Sequence, residues 1–412
     1  MTKRHNDSYV IDNVRLLTAD GITATTSIVV VDTVIAAIGP MDPLPFDGIR
    51  VIDAGGLMAV PAFIDMHIHG AGGMDPCETG ISIQECSDRL EKMASCLADT
   101  GVGTFVVATV FNMAVIERFA RVLDMHPRLA ATVAGLYLEG PFIAPSKRGG
   151  IPLECIQPYS DDVFQAIASV TSGTRPVVRL MTVAPELEGI ETLPAKAEAC
   201  GIDICWGHSD AALADVKLQD GDHFTHLFNA MRGLDHRNPG LALAPFLPHL
   251  CNATFELIGD GIHIAPDMLS FICAQKTSKH HACLISDAIS CAGLDPMEFS
   301  YCSQPAVSDG RVARYRDSGT LIGSAMTLAA NVHYLVSHDL IDPSQACCMA
   351  STNPARVLGL QERGLLEVGR RADILLCSDD MSVKAVYLAN GYRRDITGTT
   401  PKAMDKAGIG GL

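Results

Sequence analysis

Residues 63–70 read FIDMHIHG, an apolar run that carries two histidines one residue apart, His67 and His69. In an extended strand alternate side chains share a face, so the two imidazoles point the same way while Met66 and Ile68 take the other. A core strand gains nothing from that pairing. Either each histidine is buried against a hydrogen-bond partner, or the pair belongs to a metal site. Further ligands at the ends of other strands separate the two readings.

Such residues are present. Apolar runs end on Glu139 in AGLYLEGPF, His208 in IDICWGHSDA, His226 in HFTHLFNAM and Asp287 in HHACLISDAIS. With His67 and His69 these make four imidazoles and two carboxylates, a donor set suited to a divalent transition metal such as zinc. A bound metal lowers the pKa of its water to about 7 and polarises a carbonyl oxygen. Asp287 ends the last strand, outside any ligand pair, so it is placed to take a proton from water and pass it to a leaving amine. General base followed by general acid suits amide hydrolysis.

Eight strand-like runs position these residues, ending near His69, Thr109, Glu139, Val183, His208, His226, Asp260 and Asp287. Helical patterns lie between them. In DRLEKMASCLADTG, Leu90, Met93 and Leu97 share a face and Gly101 supplies the stop; SAMTLAANVHYLVSHDLI repeats the pattern with Leu328, Val332, Leu335 and Val336. Eight such alternations point to an α/β fold, a (β/α)8 barrel over residues 61–355, with its active site at the C-terminal strand ends. The other α/β option, a doubly wound sheet, lacks a G-x-G-x-x-G after any strand. Residues 1–60 and 356–395 instead carry short β-branched runs between Gly, Asp and Pro turns, and predict one small β-sandwich completed from both chain ends. The small and polar tail at 396–412 predicts a loosely held end.

Composition narrows the class. A chain of 412 residues accommodates a barrel of ~250 residues plus a smaller unit. Its 48% hydrophobic content readily fills a large core. The 14 cysteines are scattered, without a C-x-x-C pair, which points to reduced core residues rather than a zinc ribbon or disulfide framework. A net charge of −16 argues against nucleic acid or an anionic membrane as partner, and an anionic substrate would need its own arginine. No secretion signal or membrane-length apolar run is present, so a soluble cytoplasmic protein is expected.

The stretches PAFIDMHIHG, YLEGPFIAPSKRGG, GHSDA, THLFNAMRGLDHRNPG, IGDGIHI, LISDA and GTLIGSAMTL resemble the amidohydrolase superfamily, and within it the N-acetylglucosamine-6-phosphate deacetylase family. The resemblance covers residues 61 to about 330, and LEGPF with THLFNAM is specific to this branch. Other branches bridge two metals through a modified lysine near the end of strand four; VVRLMTVAPE offers none.

The resemblance implies a divalent metal held by Glu139, His208 and His226, with Asp287 in proton transfer and close to the metal. It further implies that His67 and His69 hold a second ion shared through Glu139, so that one or two ions bind per subunit: zinc first, with iron, manganese or cobalt as options. Asn229 and Ala230 correspond to a phosphate-binding turn, Arg237 to an arginine that reaches the phosphate across a dimer interface, and His263 to a histidine that contacts substrate and polarises the acetyl carbonyl. Gly150, Leu321, Ile322 and Gly323 fall at further substrate contacts. The family places a polar residue where SKRGGIP has Ile151, so one hydroxyl or phosphate contact is missing.

The implied activity is metal-dependent deacetylation of N-acetylglucosamine 6-phosphate in amino-sugar catabolism, by a homodimer or higher homo-oligomer. The same barrel admits N-acetylgalactosamine 6-phosphate, an unphosphorylated N-acetylhexosamine or another N-acyl compound. A non-catalytic binding protein would have lost a ligand or the aspartate, and every one is present.

Overall fold

The computed structural model describes residues 8–18, 21–40 and 49–395. The tail predicted to be loosely held, 396–412, lies outside them.

The chain opens with five strands, β1 (Tyr9–Thr18), β2 (Gly21–Val31), β3 (Val34–Ile38), β4 (Arg50–Asp53) and β5 (Met58–Pro61). The run SIVVVDTVIAAIG, continuous in the sequence, folds back on itself at Asp32, whose φ of 57° is a turn conformation that Asp tolerates. β2 and β3 then pair as a hairpin. β1 is shared: its first residues pair with β4 and its Arg15 and Leu16 with β5.

One residue beyond β5 the barrel begins. Its wall consists of β6 (Phe63–Ile68), β7 (Val102–Val110), β8 (Val133–Glu139), then, past a two-residue hairpin of β9 (Thr171–Ser172) and β10 (Arg175–Pro176), β11 (Val178–Val183), β12 (Asp203–Trp206), β13 (His223–Phe224), β14 (Thr254–Ile258) and β15 (Ala282–Ile285). All eight wall strands run parallel in chain order. The first and last meet just past their ends: the Asp287 N–H donates to the His67 carbonyl at 3.0 Å and the His69 N–H to the Ala288 carbonyl at 2.8 Å. Deeper in the seam the Ser286 N–H donates to the Asp65 carboxylate at 3.1 Å. Gly70 is forced by this closure, since a Cβ there would sit 2.4 Å from the Met74 carbonyl oxygen and 2.9 Å from the Ser290 nitrogen.

Side chains that point inward, among them Ile64, Met66, Val106, Tyr137, Leu180 and Ile285, fill the barrel as one buried cluster. Those that point outward meet the helices in a larger cluster. The helix Ile83–Asp99 shows why: Ser82 and Glu85 cap its start reciprocally, Leu90, Met93 and Leu97 are buried, and Gly101 follows at φ 95°. Between β12, β13 and β14 the connections carry short 3-10 turns, one of them with Pro245 inside it.

One region differs from the expected alternation. After β15 the chain forms a four-stranded antiparallel sheet, β16 (Met297–Tyr301), β17 (Gln304–Ser308), β18 (Val312–Tyr315) and β19 (Leu321–Ser324), before the helix Leu328–Ser337 resumes the pattern. The last strands, β20 (Ile374–Cys377), β21 (Val383–Tyr387) and β22 (Arg393–Asp395), return to the sheet at the start of the chain, where β20 pairs with β5. That sheet has its own core, with Tyr9, Ile11 and Ile28 from one chain end packed on Ile374, Leu376 and Tyr387 from the other. Among the described residues no helix is long and apolar enough to cross a membrane.

Candidate functional site

All six predicted ligand and proton-transfer residues meet at the C-terminal mouth of the barrel. His67 lies within β6 and His69 just beyond it, and Glu139 is the last residue of β8. His208, His226 and Asp287 each stand two residues past their strands. His208 and Asp287 hold left-handed backbones, with φ 47° and 46°, a conformation costly to a side-chain-bearing residue and kept where the fold over-determines it.

Glu139 is the hub. Its Oε1 lies 3.1 Å from His226 Nε2 and 3.3 Å from both His208 Nε2 and His67 Nε2. Its Oε2 lies 3.4 Å from His69 Nε2. Asp287 Oδ1 completes the ring at 3.5 Å from His69 Nε2 and 3.7 Å from His67 Nε2. Four imidazole nitrogens therefore converge on two carboxylates, and every one of these residues is buried.

The groups behind the histidines fix which nitrogen faces inward. His208 Nδ1 lies 2.7 Å from the Lys147 carbonyl oxygen, an acceptor only, so Nδ1 carries the proton and the Nε2 lone pair points to the centre. His67 Nδ1 lies 2.9 Å from Glu256 Oε2 and is fixed in the same sense. Glu256 also accepts the His226 backbone N–H at 2.9 Å. Burial alone would raise the Glu256 carboxyl, but the neighbouring His67 and His223 hold it down at about 2.

These contacts test whether the residues fit a metal. His208 Nε2 and His226 Nε2 approach to 3.0 Å, where two inward lone pairs would repel. His67 Nε2 is buried with no hydrogen-bond partner. Burial lowers the His69 pKa, yet Asp287 and Glu139 outweigh it and lift the ring to about 9, so the cluster draws positive charge. A cation satisfies all three observations. The donor atoms fall into two sets, Glu139 with His208 and His226, and His67 with His69 and Glu139, each within 4.8 Å. The residues fit one or two divalent ions that share Glu139.

A cleft of about 630 Å³, part of it open to solvent, leads down to this cluster. Gly150, Ile151, Asn229, Ala230, His263, Leu321, Ile322 and Gly323 all line it, as do Glu139, His208, His226, His69 and Asp287. His263 Nδ1 is held 2.6 Å from the buried Asp260 carboxylate, which also accepts two backbone N–H groups and so fixes the ring. Arg237 stands apart. It is exposed on a loop whose turn is tied by Asp235, and within one chain it does not line the cleft.

Three groups of contributors escaped the sequence reading. Glu256 is the lone acid in the apolar run ATFELIG, a signal that was available. Tyr137 packs its ring 4.2 Å from His67 and shares a hydroxyl network with Thr225 and Thr182 beneath the site. Tyr301 and Cys302, at the β16–β17 turn, reach the cleft wall from the inserted sheet.

Comparison with known proteins agrees with this geometry. The Amidohydrolase family model matches residues 58–403. An N-acetylgalactosamine-6-phosphate deacetylase of Escherichia coli O157:H7 is 30% identical over 91% of this chain and 96% of its own. An N-acetylglucosamine-6-phosphate deacetylase of Bos taurus is 32% identical, covering 82% of this chain and 83% of its own. Among solved structures, a mutant N-acetyl-D-glucosamine-6-phosphate deacetylase of Mycobacterium smegmatis, in complex with N-acetyl-D-glucosamine-6-phosphate, superposes with a TM-score of 0.79 at 26% identity over 94% of this chain and 99% of that one. With the family model spanning most of its length and these relatives along nearly all of it, the chain belongs to the amidohydrolase family, in the branch of the N-acetylglucosamine-6-phosphate deacetylases, and is a hydrolase that acts on an amide.

Proposed function

We propose that this enzyme removes the acetyl group of N-acetylglucosamine 6-phosphate, giving glucosamine 6-phosphate and acetate in amino-sugar catabolism. The observation that carries the reading is the Glu139-centred cluster with Asp287 3.5 Å from His69 Nε2 at the base of the cleft. Glu139, His208 and His226 would hold one divalent cation, and His67, His69 and Glu139 could hold a second; when bound, such a cation would polarise the acetamide carbonyl and make water more acidic, and zinc suits the nitrogen-rich donor set.

The chain's own residues do the rest. Asp287 takes the proton of the attacking water as its oxygen joins the acetyl carbon. It returns that proton to the sugar nitrogen as the carbon–nitrogen bond breaks. Burial pushes the Asp287 carboxyl up, but His69 and His67 more than reverse this and keep it ionised, the form a base needs. His263, held through Nδ1 by Asp260, lines the cleft and presents its Nε2 edge to the acetamide of the substrate. Asn229 and Ala230 turn toward the phosphate, and Gly150 and the segment Leu321–Gly323 hold the sugar. Arg237, exposed in one subunit, serves the phosphate of a neighbouring subunit's site in a homodimer or higher homo-oligomer.

Ile151 supports a second reading of the epimer. It is buried at the cleft wall and offers a hydroxyl nothing, and the relative from Escherichia coli O157:H7 carries the galactosamine name. Acetate release from N-acetylglucosamine 6-phosphate, its galactosamine epimer and free N-acetylglucosamine, with metal-loaded enzyme and Asp287→Asn, tests both. The phosphorylated sugars are expected to turn over far better than the free one, with Asp287→Asn slower by about a thousandfold. Three inert sugars with metal bound would sink the substrate assignment, and an active Asp287→Asn would sink the mechanism.

A further inference from the structure

The opposite, N-terminal mouth of the barrel holds a second cavity of about 830 Å³, counting the part open to solvent. It lies between the first residues of β7, β8 and β11, the β9–β10 hairpin and the segment 360–363. Three arginines line it: Arg175, Arg179 and Arg363. Arg363 is spent within the protein, on Thr104, the Ala131 carbonyl and Glu362. Glu362, the acid on the cavity wall, is engaged in return, 3.3 Å from Arg363 Nε.

Arg175 and Arg179 are different. Among the described residues neither guanidinium makes a hydrogen bond or an ion pair; Asp203 on β12 reaches Arg179 only through its field. Arg175 is exposed, but Arg179 is half-buried, and a half-buried cation without a partner is uncommon because its buried charge costs free energy that an anion would offset. The backbone places both beside the cavity. Val178 pairs with Leu136 and Leu180 with Tyr137, so Arg179 is the extra residue of a β-bulge. Across from it, a Cβ on Gly135 would lie 2.5 Å from Arg179 Cγ and 2.8 Å from the Val177 carbonyl oxygen. Gly135, at φ 134°, therefore leaves the channel through which the Arg179 stem passes. Arg175 rides on a hairpin that is itself pinned, since the Ser172 hydroxyl and the Gly173 N–H both donate to Asp124, at 2.8 and 2.9 Å.

We propose that this cavity is a second anion site, remote from the catalytic centre, in which Arg175 and Arg179 bind the phosphate group of a small metabolite or free phosphate. Guanidinium forks pair phosphate oxygens two at a time, and the cavity has room for a sugar bearing the group. On a chain of net charge −16, the wall of this cavity carries three arginines against one carboxylate, Glu362.

The test is equilibrium dialysis of the metal-loaded enzyme against labelled inorganic phosphate, for wild type, the double variant Arg175→Gln/Arg179→Gln, and Arg175→Glu alone. The double variant should bind one phosphate fewer per chain, or bind that phosphate at least tenfold more weakly, with kcat/KM for the acetamide at low phosphate within twofold of wild type. Arg175→Glu sits on an exposed hairpin, so it still reports if Arg179→Gln folds poorly, and it should lose the same phosphate. Competition by fructose 6-phosphate stronger than by inorganic phosphate would identify a sugar phosphate as the source; the reverse order would identify the free ion. Unchanged phosphate stoichiometry and affinity in both variants would overturn the site, as would binding of citrate in preference to every phosphate compound.

Discussion

Glu256 orders the candidate centre while standing outside the cleft. Its Oε2 takes the His67 ring N–H and the His226 backbone N–H, so it sets two of the four inward-facing imidazoles through different atoms. Glu256→Gln keeps the shape but weakens the charge-assisted bond to His67 and lets the ring choose the other tautomer. The expected result is ~10–100-fold weaker metal binding, measured by competition with a chelator, with folding intact. An unchanged affinity would mean that His67 and His226 hold their inward nitrogens without the Glu256 charge. This residue also marks how far sequence reading reaches. The six residues at strand ends stood out because polar groups that close apolar runs are visible in one dimension. Glu256 and Tyr137 act through the barrel interior, where a partner on another strand, far along the chain, gives the residue its meaning.

The barrel strands were legible because their ends carry the chemistry and their interiors are almost wholly apolar, as VGTFVVATV in β7 shows. Their last residues came out about two positions early for β12, β13, β14 and β15, because the residues that follow turn left-handed or into loops and leave the ladder before the apolar pattern ends. The four-stranded insert was not legible. Its strands, MEFSY, QPAVS, VARY and LIGS, are short, part-exposed and without clean alternation, so they resemble a loop until they pair. The helix Ile83–Asp99 was read from its Leu90, Met93 and Leu97 face, and its start follows an equally local rule. The Ser82 hydroxyl accepts the Glu85 N–H, and the Glu85 carboxylate accepts the Ser82 N–H at 2.7 Å. Ser82→Ala removes half of that box at an exposed position on the mouth side of the barrel, outside the cleft lining. It should cost ~1 kcal/mol of stability in denaturant unfolding while acetate release stays as in wild type. A parallel loss of kcat would show that this helix end communicates with the site.

At the scale of the molecule the question is why an acidic protein should bind a phosphorylated sugar. The cleft of a single chain is lined by two carboxylates, four histidines and mostly apolar or backbone groups; its arginine candidate, Arg237, stands exposed outside it. A phosphate entering that cleft alone would meet acids without an arginine among the lining residues. A homo-oligomer that presents Arg237 to the neighbouring cleft removes the difficulty, and it predicts complementation. Asp287→Asn subunits keep Arg237 but lack the base. Arg237→Gln subunits keep the base but lack the arginine. Each alone should be poor, the first through kcat and the second mainly through KM for the phosphorylated sugar. Refolded together as random dimers, half of the molecules are mixed, and each mixed dimer carries one site with both a native Asp287 and a native Arg237. Activity at low substrate should then return to about a quarter of the wild-type level, above the sum of the two parents. A mixture that gives only that sum would place Arg237 in its own subunit's site, or outside the reaction altogether. The second outcome separates from the first by whether Arg237→Gln alone still changes KM.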